Sequence, residues 1–430
     1  MKKAVRWCVV GRTGRDLCFG AEIFGSRQTV SGDKVGQPDR SYVRLQMALV
    51  SSALGWMALA GTPLTLGAQG VATPSTPSTA AVAASQDDSL RDFGALITKL
   101  SEPGGYFDTD NLISNESSYL HVIGGLEHYG VRGGAYIGVG PDQNFSYIAR
   151  IKPRIAFLID IRRDNMLQHL MFKALFAKAR NRVEYLALWL GKRAPANVES
   201  WSARSIDDIV AYLDSTPSTP ATAAAARALV MNEVRTIGVT LPAADFATIE
   251  RFHQEFINAG LSLRFTSAGR APQPYYPTLR QLVLEKDREG RQASYLARET
   301  DFRVVRDLQR KNLLVPVVGD LGGPRALAAI GTYMKQRGDK LSAFYASNAE
   351  DYVMRDGKFP TYVRSIAALP RDANSVIIRS YFGGGNHAEN VAGYYSTQLL
   401  QKVDVFIKEA PGYVSYRQLV QSRYLTLRTP

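Results

Sequence analysis

AYIGVGPDQNFSYIARIKPRIAFLID, residues 135–160, contains two apolar runs that end in different chemical devices. The first, Ala135 to Val139, stops at Gly138, Gly140 and Pro141. The second, Ile155 to Ile159, stops at Asp160. The stretch between them has the length of one short helix, about Asp142 to Ile151. Strand, glycine turn, helix, strand and terminal acid is the order in which a parallel sheet presents the adenosine part of a cofactor. Glycine lets backbone approach a ligand closely, and Pro141 suits a first helical turn because its missing N–H would have no partner there. Asp160, 22 residues after Gly138, is placed to accept both hydroxyls of a ribose. Two plainer readings stand beside these: a tight turn that holds no ligand, and an Asp160 that pairs with Arg162 or Arg163.

Working outward, buried runs alternate with helical patterns. SLRDFGALITKLSE spaces Leu90, Phe93, Leu96, Ile97 and Leu100 on one face. Ser114 or Asn115 is a candidate cap for a helix through Tyr119, Leu120, Val122 and Ile123. Asp164 is placed to cap a long helix through NMLQHLMFKALFAKARNRVEYLALWLG, and residues 192–258 read as an all-helical insertion. Further strands are expected at Leu261–Thr266, Leu313–Gly319, Leu341–Ala346, Val376–Arg379 and Val403–Ile407, seven in all. The last two lack a normal helical crossover, which suits antiparallel pairing at an edge. The expected class is α/β: a Rossmann-like, mostly parallel seven-stranded sheet with helices on both faces and a helical insertion.

The strand ends carry the candidate chemistry, because open α/β sheets bind ligands at that edge. Asp320 in GDLGGP is the candidate catalytic residue, orienting an acceptor or taking a proton; its rival role is a cap before Gly322-Gly323-Pro324. Ser347-Asn348 ends the next strand, with Asn348 a candidate cofactor contact. Glu116 precedes the first strand by about twenty residues and is placed to reach the glycine turn, unless Ser114-Asn115-Glu116 is merely a cap with an acid in the first turn. Tyr275-Tyr276, flanked by prolines, is a candidate aromatic lip. His387 in GGGNHAEN is a candidate acid–base group or acceptor contact, or a solvated loop residue. No GxSxG elbow, HExxH helix or GxxxxGK[ST] loop occurs, which counts against serine hydrolases, zincins and P-loop enzymes.

Composition bounds the rest. The 430 residues are 45% hydrophobic and 10% aromatic, enough for a large core. The two cysteines, Cys8 and Cys18, precede the expected folded region, which therefore has neither disulfides nor thiolate ligands. Five scattered histidines argue against a histidine metal site. Net charge is +13, of which residues 1–69 supply nine Lys/Arg against four Asp/Glu, or +5, leaving +8 for the rest. Spread so thinly, without a Lys/Arg stripe interleaved with aromatics, that charge reads as solubility, and nucleic acid is not an expected partner.

Residues 47–66, MALVSSALGWMALAGTPLTL, form an uncharged apolar stretch with small residues at Ala58-Leu59-Ala60 and Gly67-Ala68. This is the pattern of a signal peptide over 47–68, and about 20 residues also suffice for a membrane tether. The preceding 1–46 extension is long for such a signal, and a start near Val43 or Met47 would remove the difficulty. Residues 69–88, rich in Pro, Ser, Thr and Ala, read as a disordered linker before a folded domain over 89–430. The expected location is exported (periplasmic) or membrane-anchored, with the cytoplasm as the alternative.

GVGPDQNFSYIARIKPRIAFLIDIRRDNMLQHLMFKALF, LARETDFRVVRDLQRKNLLVPVVGDLGGPRALAAIGTYM and SAFYASNAEDYV resemble an uncharacterised bacterial family with a Rossmann-like core. That family is similar in outline to class I S-adenosylmethionine-dependent methyltransferases. The first likeness spans most of residues 90–380. The second implies that Gly138 and Gly140 admit the methionine part of S-adenosylmethionine, that Asp160 holds its ribose, and that Asp320 follows the fourth strand. The chain departs from that pattern in three ways. Gln143 stands where a third glycine would, a helical insertion separates strands 2 and 3, and GDLGGP replaces an aromatic N/D-P-P-Y motif, which makes a nucleic-acid amino group a poor acceptor. An exported protein would lack a cofactor made in the cytoplasm. The expectation is accordingly a methyltransferase-like protein with an unknown acceptor, with a non-catalytic exported or tethered binding protein as its alternative and a nucleotide-sugar or dinucleotide enzyme third.

Overall fold

The structure, a computed structural model, describes residues 92–109, 111–267 and 270–427. The N-terminal extension, the apolar stretch 47–66, the linker 69–88 and both cysteines lie outside those residues. Six strands form one sheet: β1 (Ala135–Gly138), β2 (Ile155–Asp160), β3 (Leu314–Val318), β4 (Leu341–Ser347), β5 (Arg371–Tyr381) and β6 (Thr397–Lys402). Their order is β3-β2-β1-β4-β5-β6. The first five are mutually parallel and β6 runs antiparallel to β5.

Every residue of β1 and β3 is buried, so both faces of the sheet are covered, which is why these strands read as continuous apolar runs. Pro316 in β3 cannot donate to a ladder, and β3 is accordingly an edge strand paired only with β2. The helix Gln143–Ile151 crosses from β1 to β2. The helix over 92–100 buries Phe93, Ile97 and Leu100.

Two expected strands are absent from the sheet. Leu261–Thr266 begins in a 3-10 turn, Gly260–Ser262, and then pairs locally. Phe265 N–H donates to Pro277 O and Leu279 N–H to Leu263 O. Its apolar alternation serves a small arm, not the main sheet. Val403–Ile407 belongs to the helix Val403–Glu409, and the strand is the preceding TQLLQK. Gln398 and Gln401 hide that strand from a hydropathy reading, yet both are buried, with the Gln398 amide N–H groups and the Gln401 side chain bonded to side chains within the fold. The long helix after β2 is also broken. Arg163–Lys178 is followed by Arg182–Trp189, capped by Asn181, and Asp164 lies in the first turn of the former with Arg162 at its N-cap. Between β2 and β3, residues 198–259 are built of helices, two of which start in capping boxes, Ser205–Asp208 and Thr219–Thr222. Among the described residues no helix is long and apolar enough to cross a membrane.

One buried ion pair ties the second half of the sheet to its helices. Arg379 on β5 and Glu350, just after β4, are 2% and 0% exposed. Arg379 Nη2 donates to Glu350 Oε1 at 3.0 Å, its Nε donates to Oε2, and Tyr362 OH completes the carboxylate at 3.0 Å. Arg379 Nη1 reaches Gln401 on β6 at 2.8 Å. Removing one partner strands the other charge, so Arg379→Met should lose about 3–5 kcal/mol of stability in urea unfolding. An unchanged midpoint would show that the pair is not structural.

Candidate functional site

The turn after β1 is held from below by a single side chain. Asn144 Nδ2 donates to Val139 O at 2.8 Å, Gly140 O at 3.3 Å and Pro141 O at 2.8 Å, while Tyr136 OH donates to Asn144 Oδ1 at 2.7 Å. Gly138 exists for this clamp. A Cβ there would lie 1.9 Å from Asn144 Oδ1, and Gly138 does not line the cleft. Its expected contact with a cofactor is therefore replaced by a packing role. Gly140 does line the cleft, with φ +81, a backbone state that favours glycine. His169 Nε2, buried in the helix Arg163–Lys178, donates to Gly140 O at 2.9 Å.

The cleft has a volume of about 470 Å³ and lies at the carboxyl ends of β1, β2, β3 and β4, a size suited to a small-molecule ligand. It gathers Glu116, Gly140, Asp160, Asp320 and Asn348 into one wall, together with Tyr276. Glu116 is 1% exposed. It accepts from Tyr345 OH at 2.7 Å, from Gln398 Nε2 at 2.8 Å and from Ser347 Oγ. All three donors are neutral, and no cation pairs with it among the described residues. The cap reading of Ser114-Asn115-Glu116 is not realised, since the first helical turn beyond it is Tyr119–Val122 with Ser118 at its N-cap.

The other acids are matched to cations. Asp160 is bound bidentately by Arg162, with Nε to Oδ1 at 3.2 Å and Nη2 to Oδ2 at 3.1 Å, so its pairing reading is realised while the residue still faces the cleft. Arg163 turns away to Asp245. Asp320 Oδ1 accepts Gly322 N–H at 2.8 Å and Oδ2 accepts Lys358 Nζ at 2.7 Å. The helix that follows has Arg325 at its N-cap, so Asp320 closes a turn rather than capping that helix. The Asp320 carboxylate holds the Lys358 ammonium above its ordinary value. Arg270 pairs with Asp108 across the rim. Ser347 adopts φ +52, unusual for a residue with a Cβ, at the point where β4 delivers its hydroxyl to Glu116 and Asn348 to the cleft. No group of three or more His, Cys, Asp or Glu side chains able to hold a metal occurs among the described residues.

His387 lies away from this cleft. Its Nε2 donates to Val420 O at 3.1 Å and its Nδ1 accepts Glu389 N–H at 3.0 Å, so the first ties its loop to the helix Tyr416–Gln421 and the second serves the loop itself. Tyr275 also points elsewhere and stacks on Tyr395, 3.8 Å between centroids and 13° between planes. Sequence reasoning missed Asn144, His169 and Tyr345, which resemble ordinary element residues. The only signal was polar character at positions that the 3.6 or 2 periodicity places inward.

Two tests follow from the turn. Gly138→Ala and Asn144→Ala should each cost about 2–4 kcal/mol in urea unfolding, through the clash and the unpaired carbonyls respectively; native-like midpoints for both would remove the clamp. Burial pushes the Asp142 carboxyl up to about 7, against a long hydrogen bond from Tyr295 OH at 3.4 Å. From about pH 4 to about pH 7 the unfolded chain ionises this acid while the native state keeps it neutral, so stability falls as pH rises through that window. Burial lowers His169 and His253 to about 4, and the unfolded chain then binds the extra protons, so their contributions run the opposite way. Those contributions cancel between variant and parent. Asp142→Asn should therefore gain stability relative to the parent by a few kcal/mol between pH 4 and pH 8, in order of magnitude, measured by thermal unfolding. A difference independent of pH would refute the shift.

No curated protein matches the chain. A family profile matches residues 112–216 and 257–425, which include Glu116, Gly140, Asp160, Asp320 and Asn348 and omit the helix Pro220–Thr236. By that match, the chain belongs to the family described as a domain of unknown function, DUF7790.

Proposed function

We propose that the cleft binds S-adenosylmethionine and that the protein is a Rossmann-like methyltransferase. The strand order turns back between β1 and β4, and such switch points are where open α/β sheets take nucleoside ligands. The observation that carries the reading is the charge inventory of the cleft. Asp160, Asp320 and Asp108 each have a cationic partner, whereas among the described residues the buried Glu116 has only neutral donors. A carboxylate so placed favours a ligand that brings its own positive charge and disfavours a phosphate. The same argument, with Gln143 at the third glycine position, counts against a dinucleotide or nucleotide-sugar.

In this reading Glu116 receives the ammonium of the methionine part beside Gly140. Arg162 orients Asp160 so that its remaining lone pairs accept the ribose hydroxyls. Asn348 offers an amide at the end of β4. The sulfonium supplies an already activated methyl group, so the protein's task is alignment. Asp320, with both oxygens engaged, orients an acceptor instead of taking its proton. That engagement is also what favours the second reading, a cleft that binds without turnover. Residues 47–66, proposed as an export signal or tether, bear on the choice, because an exported chain would not meet this cofactor. The mature N-terminus, read by sequencing, decides it.

Calorimetric titration of the full chain with S-adenosylmethionine and S-adenosylhomocysteine tests the proposal. Binding of both is expected, with Glu116→Gln and Asp160→Asn each weakening S-adenosylmethionine by about tenfold or more, the worth of one charge-assisted contact. Absence of binding by the unsubstituted protein would overturn it.

A further inference from the structure

A second pocket, of about 450 Å³, adjoins the cleft and shares Tyr276 with it. It is made where two loops meet: the proline-flanked Tyr275-Tyr276 and the glycine-rich connection between β5 and β6, which carries Tyr394 and Tyr395. The rings are fixed relative to one another. Tyr275 stacks on Tyr395, Tyr276 stands at 79° to Tyr275, and Tyr394 packs edge-on against His121 at 4.4 Å.

Glu285 and the exposed Lys286 line the same pocket, and the Lys286 ammonium acts on the Glu285 carboxylate without an ion pair to it among the described residues. Glu285 Oε1 accepts Tyr394 OH at 2.8 Å and Lys286 N–H at 2.9 Å. Burial holds its carboxyl above the ordinary value. Four phenol rings in a pocket that also holds a half-buried carboxylate, bonded to one of them and in no ion pair among the described residues, form a surface for a cation too poorly hydrated to compete for water. A neutral sugar could donate hydroxyls to the carboxylate but would leave its charge uncompensated, as a proline-rich peptide would.

We infer that this tyrosine-lined pocket is a binding site for a small organic cation of the substituted-ammonium class, with Glu285 as its counter-ion. The inference does not rest on the cofactor proposed for the neighbouring cleft. The probes are choline and its uncharged carbon isostere, 3,3-dimethyl-1-butanol, titrated calorimetrically into the full chain. Choline should bind about tenfold or more tightly than the alcohol, the worth of the charge against aromatic faces. Glu285→Gln should erase most of that preference, and Tyr395→Leu should weaken choline by a similar factor. Glu116→Gln should leave choline binding unchanged, which separates this site from the carboxylate of the cleft. Thermal unfolding reports whether each variant is folded; if Tyr395→Leu is not, Glu285→Gln alone decides. Equal affinity for choline and the alcohol, no saturable choline binding, or loss of choline binding in Glu116→Gln but not in Glu285→Gln would overturn the assignment.

Discussion

Among the described residues Glu116 is a buried carboxyl group with no cation to receive it, and the site is arranged around that fact. Desolvating an unpaired charge is expensive enough that the surrounding chain must supply hydrogen bonds or the group is excluded from the interior. Here the donors come from Tyr345 and Ser347 on β4 and Gln398 on β6, 229, 231 and 282 residues away in sequence. The requirement thereby joins the segment before β1 to the far side of the sheet. It also accounts for the left-handed backbone at Ser347, a strained state that aims a hydroxyl at the carboxylate.

The glycine turn shows a division of labour between two glycines that look alike in the chain. Gly140 has the positive φ and the exposure to the cleft, whereas Gly138 provides the space in which Asn144 binds three carbonyls at once. His169 adds a donor to the Gly140 carbonyl from the helix Arg163–Lys178. A loop with its carbonyls satisfied internally keeps one shape before any ligand arrives, which lowers the ordering entropy lost on binding. Three charged pairs at the cleft, Asp160–Arg162, Asp320–Lys358 and Asp108–Arg270, act similarly by holding carboxylates in fixed orientations.

Where the hydrophobic period was honest, the elements were legible. IAFLI and LVPVV are covered on both faces and can be nothing but strands, and polar residues closing such runs collect at one edge of a parallel sheet. That reasoning located Gly140, Asp160, Asp320 and Asn348 in a common cleft. It failed at TQLLQK, whose buried glutamines bond to Glu116, Ser380, Arg379 and a backbone carbonyl. It failed again at Leu261–Thr266, whose alternation suits a local arm as well as a central strand. His387, chosen for its type alone, ties its loop to the C-terminal helix through Val420 O.

By itself, then, the sequence determined the α/β class, the parallel core and the edge at which chemistry collects. These follow from local periodicity and from the short range of backbone geometry. Tertiary structure alone decided which acids are matched to a cation. Asp160 and Glu116 are both acids near a glycine turn, and nothing within a few residues of Glu116 predicts its neutral donors. Pairing is a property of groups brought together across the sheet, so the charge that a ligand meets is written in contacts that only the folded chain makes.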